Sequence, residues 1–211
     1  MKKYTAIFLV LTFVVCLAGC RTMPADDTTA PADSGVTEAT QPGGTTDAGN
    51  IQTAENGAAQ ILSAIWEKIP EQSRFAAYGG MMEAPVDNAP GNLDLNNGDE
   101  ISSKYLLPAD LLPQVDEGAS LVHLMNSNLF TAAVFRLKTE TNAEAFAKTL
   151  RQNIQKNQWI CGQPDKLLIA KAEDRYLLVC FGSEDIMNTF RTQFSQSFTG
   201  AKTFYDEAVV A

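Results

Sequence analysis

The sequence of 211 residues predicts an α+β fold, in which an N-terminal helix is followed by the element order ββαββα. Two apolar stretches, residues 119–138 and 166–181, are each interrupted by turn residues, as in a β-hairpin, and each precedes a stretch with helical periodicity. Consecutive hairpins form an antiparallel sheet without parallel crossovers. We therefore expect an antiparallel four-stranded sheet packed with helices in two layers, preceded by a disordered linker.

The chain begins with a segment typical of an export signal. Two lysines precede an apolar run over residues 4–17, which is shorter than the about 20 apolar residues that a transmembrane helix needs. The run ends in Leu17-Ala18-Gly19-Cys20, which resembles the bacterial lipobox. This resemblance implies cleavage of residues 1–19 and attachment of diacylglycerol to the sulfur of Cys20. Two or three acyl chains make such an anchor stable, whereas one chain holds a protein only reversibly.

Charge limits the classes of partner. The chain has a net charge of −9, and removal of the signal with its two lysines makes the remainder more acidic. An acidic protein is repelled by nucleic acid and by anionic membrane surfaces. We therefore expect no nucleic-acid partner, and we expect the lipid on Cys20 to hold the protein on the extracytoplasmic face of the bacterial cell membrane.

Composition divides the rest of the chain into a tether and one domain. Residues 20–50 are rich in Thr, Ala, Pro, Gly and Asp and hold hardly any aliphatic side chain. Such a segment cannot bury enough apolar surface to offset the entropy lost on ordering. The sequence therefore predicts a disordered tether over residues 20–50, a single globular domain over residues 51–205 and a C-terminal tail over residues 206–211.

Helical periodicity predicts three helices in the domain. The first ends before Pro70, the second begins at Thr141 with Glu144 completing a capping box, and the third is capped by Ser183. Their apolar stripes are Ala58, Ile61, Leu62, Ile65 and Ile69; Phe146, Ala147, Leu150 and Ile154; and Ile186, Phe190, Phe194 and Phe198.

The second predicted hairpin has strands that are apolar on both faces, and each of the two hairpins has a short polar turn. Residues 126–128, Asn-Ser-Asn, and residues 173–174, Glu-Asp, are the predicted turns. Residues 167–169 and 177–179 are apolar at every position, so both faces of these strands should be covered. The first helix could supply the second cover.

The stretch between residues 74 and 100 has no sustained period and is rich in Gly, Pro, Asn and Asp, so we expect an irregular excursion over the core. A short helical turn beginning at Pro108 should follow it. The excursion opens with Phe75, Tyr78, Met81 and Met82. If exposed, these side chains would form an interaction surface for a protein, a glycan or a small molecule.

Three segments carry a resemblance to a known family. They are Lys104-Tyr105-Leu106-Leu107-Pro108, the apolar hairpin at residues 121–138, and the helix at residues 143–157 with its Arg151. Over roughly residues 55–200 the chain resembles the bacterial lipoprotein family of domain of unknown function 4358. The resemblance implies an anchored domain of the cell envelope, and it carries no activity and no functional residue.

Two cysteines, Cys161 and Cys180, remain once Cys16 has been removed with the signal and Cys20 has been lipidated. Export permits a disulfide between them, but two buried free thiols are the favoured interpretation. Residues 94–100 offer oxygen ligands around a glycine, as calcium requires, but they miss the EF-hand frame. The sequence therefore predicts no metal site, and it holds no cofactor motif.

The sequence shows no catalytic motif. His123 is the sole histidine and lies in an apolar strand, where a structural role is the simplest interpretation. Ser183 lacks the G-x-S-x-G frame of a hydrolase nucleophile. These observations favour a non-catalytic binding module of the envelope. The alternatives are a hydrolase that uses His123 or the pair Asp99 and Glu100, and a purely structural role.

Overall fold

A computed structural model describes residues 57–210. The predicted signal, Cys20 and the predicted tether lie outside the described residues. The helices are α1 (Ala58–Trp66), α2 (Gly98–Lys104), α3 (Ala143–Gln155) and α4 (Glu184–Ser197), with short 3-10 turns at Glu71–Ser73 and Leu112–Gln114. The strands are β1 (Ala77–Met81), β2 (Ala84–Asp87), β3 (Gly91–Asn92), β4 (Val115–His123), β5 (Phe130–Leu137), β6 (Lys166–Lys171), β7 (Tyr176–Gly182) and β8 (Lys202–Ala208).

All eight strands belong to one antiparallel sheet. Its order is β2-β1-β4-β5-β7-β6-β8, and β3 pairs with β4 on the same side as β1. The two predicted hairpins are present as β4–β5 and β6–β7, and they form the centre of the sheet through the pairing of β5 with β7.

The prediction of a four-stranded sheet in a ββαββα order is wrong, because four further strands join the two hairpins. Strands β1, β2 and β3 come from the stretch that we expected to be irregular. Its glycines break the apolar alternation by which a strand is recognised, yet two of them allow backbones to approach closely. Strand β8 extends into the predicted tail. Its charged side chains are typical of an edge strand, but they interrupt the apolar alternation by which a strand is predicted from sequence.

Helices cover both faces of the sheet, so the domain has three layers where two were expected. On one face lie α1 and α4, which pack on β4, β5, β6 and β7. On the other lie α2, α3 and the segment at residues 105–111. Strands β6 and β7 send alternate side chains into each core, for example Leu167 and Leu168, which confirms that they are covered on both faces.

The helix starts differ in detail from the sequence prediction. Asn142, rather than Thr141, caps α3, and its Oδ1 accepts hydrogen bonds from the backbone N–H groups of Glu144 and Ala145 at 3.1 and 3.0 Å. The Ser183 side chain makes no capping bond at α4. Instead Asp165 Oδ2 accepts from the N–H of Glu184 at 3.0 Å, so a carboxylate from a neighbouring loop stabilises that helix start.

Strands β1 and β3 meet over one edge of β4 at a contact that only glycine permits. A β-carbon on Gly79 would overlap the backbone nitrogen of Gly91 and lie 2.5 Å from the carbonyl oxygens of Ala89 and Ser120. The obstacles are all backbone atoms, so no side-chain movement could relieve them.

A buried hydroxyl pair joins the same crossing to α2. Ser120 Oγ accepts from the backbone N–H of Gly80 at 3.0 Å and lies 2.9 Å from the Tyr105 hydroxyl, which is 3.1 Å from the Gly80 carbonyl oxygen. Both side chains are fully buried, and burial raises the pKa of Tyr105, so its hydroxyl stays protonated as a donor. The crossing is therefore held by hydrogen bonds as well as by close packing.

We predict that Gly79→Ala destabilises the protein by about 2–4 kcal/mol, because the new methyl group must push β1 away from β3 and β4. Gly200→Ala is the matched control, since a β-carbon there meets no atom within 4 Å. The free energy of unfolding of both variants can be measured by urea denaturation of the full chain. A Gly79→Ala variant as stable as Gly200→Ala would contradict the proposed crossing.

Candidate functional site

The structure does not gather the four residues of the predicted interaction surface. Tyr78 is buried in the core formed with α2 and α3, and Met81 packs partly against it. Phe75 lies on the opposite face of the sheet, with its ring 5.1 Å from those of Trp66 and Phe130. Met82 alone is well exposed, at 58%. These side chains therefore do not form one continuous surface.

The acidic residues predicted as possible ion ligands stabilise the N-terminal turn of α2. Glu100 Oε1 accepts from the N–H of Met82 at 2.9 Å and from Lys104 Nζ at 3.0 Å, and Oε2 accepts from Asn97 Nδ2 at 3.1 Å. The Asn97 side chain in turn accepts from the N–H of Glu100 and so caps α2. Among residues 57–210, no group of three or more His, Cys, Asp or Glu side chains is arranged to hold a metal ion.

Cys161 and Cys180, the two cysteines of the possible disulfide, are free in the structure. Cys180 lies in the middle of β7, is fully buried, and has its pKa raised by burial. Cys161 is exposed in the loop between α3 and β6. A buried thiol in a central strand is an inert core side chain, which leaves Cys161 as the accessible thiol of the pair.

Four of the exposed apolar side chains of residues 57–210, among them the two most exposed, Met125 and Ile160, lie at one end of the sheet. Leu124, Met125 and Leu129 lie in the β4–β5 turn, and Ile160 lies in the loop after α3. Their exposed fractions are 55%, 81%, 39% and 80%. These four residues are called the exposed apolar patch below.

Two asparagines of the β4–β5 turn hold the loop that carries Ile160. Asn128 Nδ2 donates to the carbonyl oxygens of Ile160 at 2.7 Å and of Gly162 at 2.6 Å. Asn126 Nδ2 donates to the carbonyl oxygen of Cys161 at 3.3 Å. Because the backbone polar groups face the asparagines, the two segments that carry the exposed apolar patch are joined to each other.

The base of the turn is joined to the start of α4. The carbonyl oxygen of Leu129 accepts from the N–H of Ser183 at 2.9 Å. A β-carbon on Gly182 would collide with the same carbonyl oxygen, so this approach requires glycine. In addition, the Thr131 hydroxyl donates to the carbonyl oxygen of Ser127 at 2.9 Å. The turn is thus supported by β7 and α4 as well as by its own strands.

His123 supports the turn from the other side. Its ring stacks on Phe75 with a centroid distance of 5.1 Å and an interplanar angle of 14°. Its Nδ1 accepts from the backbone N–H groups of Met125 at 3.2 Å and of Asn126 at 3.4 Å. Burial lowers the pKa of His123, which favours the neutral ring.

Two open cavities adjoin this end of the sheet. One has a volume of about 170 Å³ and is lined by Ile69, Ser73, Phe75, Asp185, Ile186 and Thr189. The other, about 540 Å³, lies beside Trp159, Gly162 and Gln163. The end of the domain that carries the exposed apolar patch therefore also carries concave surface.

The exposed apolar patch was not predicted from the sequence, because Leu124 and Met125 continue the apolar pattern of β4. One signal was available, since Met125 stands directly before the predicted Asn-Ser-Asn turn, where a side chain is rarely buried. Asn126 and Asn128 form tertiary hydrogen bonds with a loop about 35 residues later in the chain. Such long-range bonds cannot be predicted from a local sequence pattern.

Comparison with known proteins found no relative: no protein-family model, curated protein or solved structure matches this chain. None of the helices between residues 57 and 210 has the length and apolarity needed to cross a membrane.

Proposed function

We propose that the chain is a lipid-anchored lipoprotein on the extracytoplasmic face of the bacterial cell membrane. Its folded domain is a non-catalytic interaction module that binds an apolar surface of another envelope protein through the exposed apolar patch. The observation that carries this proposal is the display of Met125 and Ile160, each at least four-fifths exposed, on segments that asparagine side chains hold in place.

A domain without a partner rarely exposes several clustered apolar side chains. Single exposed apolar side chains are common on protein surfaces, but clustered ones on a supported backbone indicate an interaction site. Methionine adapts its shape to an apolar partner, which suits Met125 for such a contact. Four side chains make a small surface, so the expected interface is of the weak or transient class.

The direction of the chain supports a partner beyond the membrane to which the protein is attached. The N–H of Ala58 bonds Glu117 Oε1 at 2.6 Å, so the described chain begins beside the start of β4. The exposed apolar patch follows the end of this nine-residue strand, which at about 3.3 Å per residue is roughly 25–30 Å away. The chain thus enters the described domain at the end opposite the exposed apolar patch, and the acidic charge of the chain disfavours contact with an anionic membrane.

The contacts of the candidate catalytic side chains support a non-catalytic role. His123 Nδ1 accepts two backbone hydrogen bonds, and the His123 ring stacks on Phe75. The Glu100 carboxylate is shared among Met82, Lys104 and Asn97. Both groups therefore stabilise local structure through the atoms that a general base would use.

We predict that Cys20→Ser releases the protein from the membrane fraction, because the acyl chains supply the attachment and the acidic domain supplies none. Cell fractionation followed by detergent phase partitioning measures the effect. A variant that stays with the membrane through high-salt washing would show that the exposed apolar patch, or another segment, binds the lipid surface directly.

We further predict that the double variant Met125→Glu, Ile160→Glu loses its envelope partner while its melting temperature stays within about 2 °C of the parent, since exposed side chains contribute little to stability. The control is Met82→Glu, which places the same charge on an exposed methionine near α2. A photo-reactive residue at Leu124 reports the contact in intact cells, by the mass of the crosslinked product.

The crosslink should form in the parent and in Met82→Glu and disappear in the double variant. A product of twice the mass of the chain would show that a second copy occupies the exposed apolar patch, against the proposal. A crosslink to lipid, or one that persists in the double variant, would also contradict it.

A further inference from the structure

The β4–β5 turn depends on the protonation state of one side chain. Two backbone N–H donors, of Met125 and Asn126, point at Nδ1 of His123. A ring nitrogen can accept a hydrogen bond only when it carries no proton, so the ring is the neutral tautomer with its proton on Nε2. In this form the imidazole acts as the cap of the turn.

Protonation would remove this cap. An imidazolium has a donor at each nitrogen, so Nδ1–H would face two N–H groups and both hydrogen bonds would be lost. Asn126 is one of the released residues, and its side chain also holds the carbonyl oxygen of Cys161. When the turn becomes less ordered, the loop that carries Ile160 also becomes less ordered, so both segments of the exposed apolar patch are affected.

The surroundings of the ring do not offer the imidazolium a partner that would replace these bonds. The charged residues on the elements packed around it are Arg74 after the 3-10 turn, Glu67, Lys68 and Glu71 between α1 and β1, Asp87 at the end of β2, and Glu184 and Asp185 on α4. Arg74 is engaged with the carbonyl oxygens of Ile69 and Glu67 and lies over the Trp66 ring. The pKa of His123 is lowered by burial, so these carboxylates do not outweigh the loss of hydration.

The lowered pKa of His123 determines how the stability of the turn depends on pH. The ring takes up its proton at a lower pH in the folded turn than its ordinary pKa of 6.5. The contribution of the cap to stability is therefore complete above pH 6.5 and is lost as the pH falls through the lower, folded value.

We propose that His123 is a pH-sensitive switch that controls the order of the exposed apolar patch. Neutral His123 caps the β4–β5 turn and orders the patch, whereas protonation of His123 breaks the cap and makes the patch less ordered. The consequence for binding rests on the proposed function, whereas the coupling of the ring to the turn is a property of the folded domain alone.

The test uses the full chain in detergent micelles, with NMR signals of the His123 ring and of the backbone amides followed from pH 8 to pH 5. Because the chain has one histidine, the ring signal needs no assignment. We expect the Met125 and Asn126 amides to shift with the same midpoint as the ring. Their protection against hydrogen exchange, corrected for intrinsic rates, should fall about tenfold at the acid end. The amide of Asn157, which bonds the carbonyl oxygen of Ile154, should not change.

Two substitutions distinguish the effect of the hydrogen-bond acceptor at position 123 from the effect of the charge on the His123 ring. The side-chain oxygen of His123→Asn can accept from the amide two residues on, as in an Asx turn, and it does not titrate, so protection should stay high throughout the range. His123→Ala removes the acceptor and should show low protection at every pH. Amides that stay protected while the wild-type ring titrates would overturn the proposal, as would a His123→Asn profile that follows the wild type.

The crosslinking experiment at Leu124 is repeated at pH 7.5 and at a pH below the midpoint of the His123 ring titration measured by NMR. We expect the wild-type yield to fall at least several-fold at the lower pH and the His123→Asn yield to stay constant. Equal wild-type yields at both values would overturn the regulation of the patch by His123. Absence of a crosslink at either pH, with the NMR coupling intact, would overturn the proposed function and leave the coupling of ring and turn supported.

Discussion

The constraint on which this structure depends is that its central strands are apolar on both faces. Strands β5, β6 and β7 each send alternate side chains into two separate cores, so one antiparallel sheet must be covered by helices twice. Helices α1 and α4 cover one face, and α2 and α3 cover the other. Once both faces are covered, the accessible surface of the sheet is limited to its two edges and to the two ends of its strands.

The edges and ends have different chemistry. The edge strand β2 contains Pro85, and the edge strand β8 carries Lys202, Asp206 and Glu207, which are features that discourage pairing with another chain. At the end where the described chain begins, Arg136 pairs with Asp116 and Glu117, and Arg175 also contacts Asp116. The opposite end carries the exposed apolar patch and both cavities beside it. The chain therefore enters the described domain at an end that ion pairs hold together, and the exposed apolar patch lies at the other end, where Lys166 also pairs with Glu184.

The elements with regular apolar periods could be predicted from the sequence, and the others could not. The stripes of α1, α3 and α4 and the turns of both hairpins are local patterns, and these elements are present. Strands β1 and β3 depend on the contact between Gly79 and Gly91, which joins residues twelve apart, and glycines give no alternation to read. The candidate site escaped prediction for a related reason. The loop of Ile160 is joined to the β4–β5 turn only through tertiary hydrogen bonds, which Asn126 and Asn128 donate to carbonyl oxygens about 35 residues away.

Oxidative footprinting of the methionines can show whether a partner covers the exposed apolar patch, because Met125 and Met82 are both exposed and lie on different surfaces. Oxidation of each can be measured by mass spectrometry, in the purified full chain and in intact cells. We expect both methionines to be oxidised in the purified protein, and we expect Met125, but not Met82, to be protected several-fold in cells. Equal oxidation of Met125 in the two preparations would contradict the claim that the exposed apolar patch is covered by a partner in the envelope.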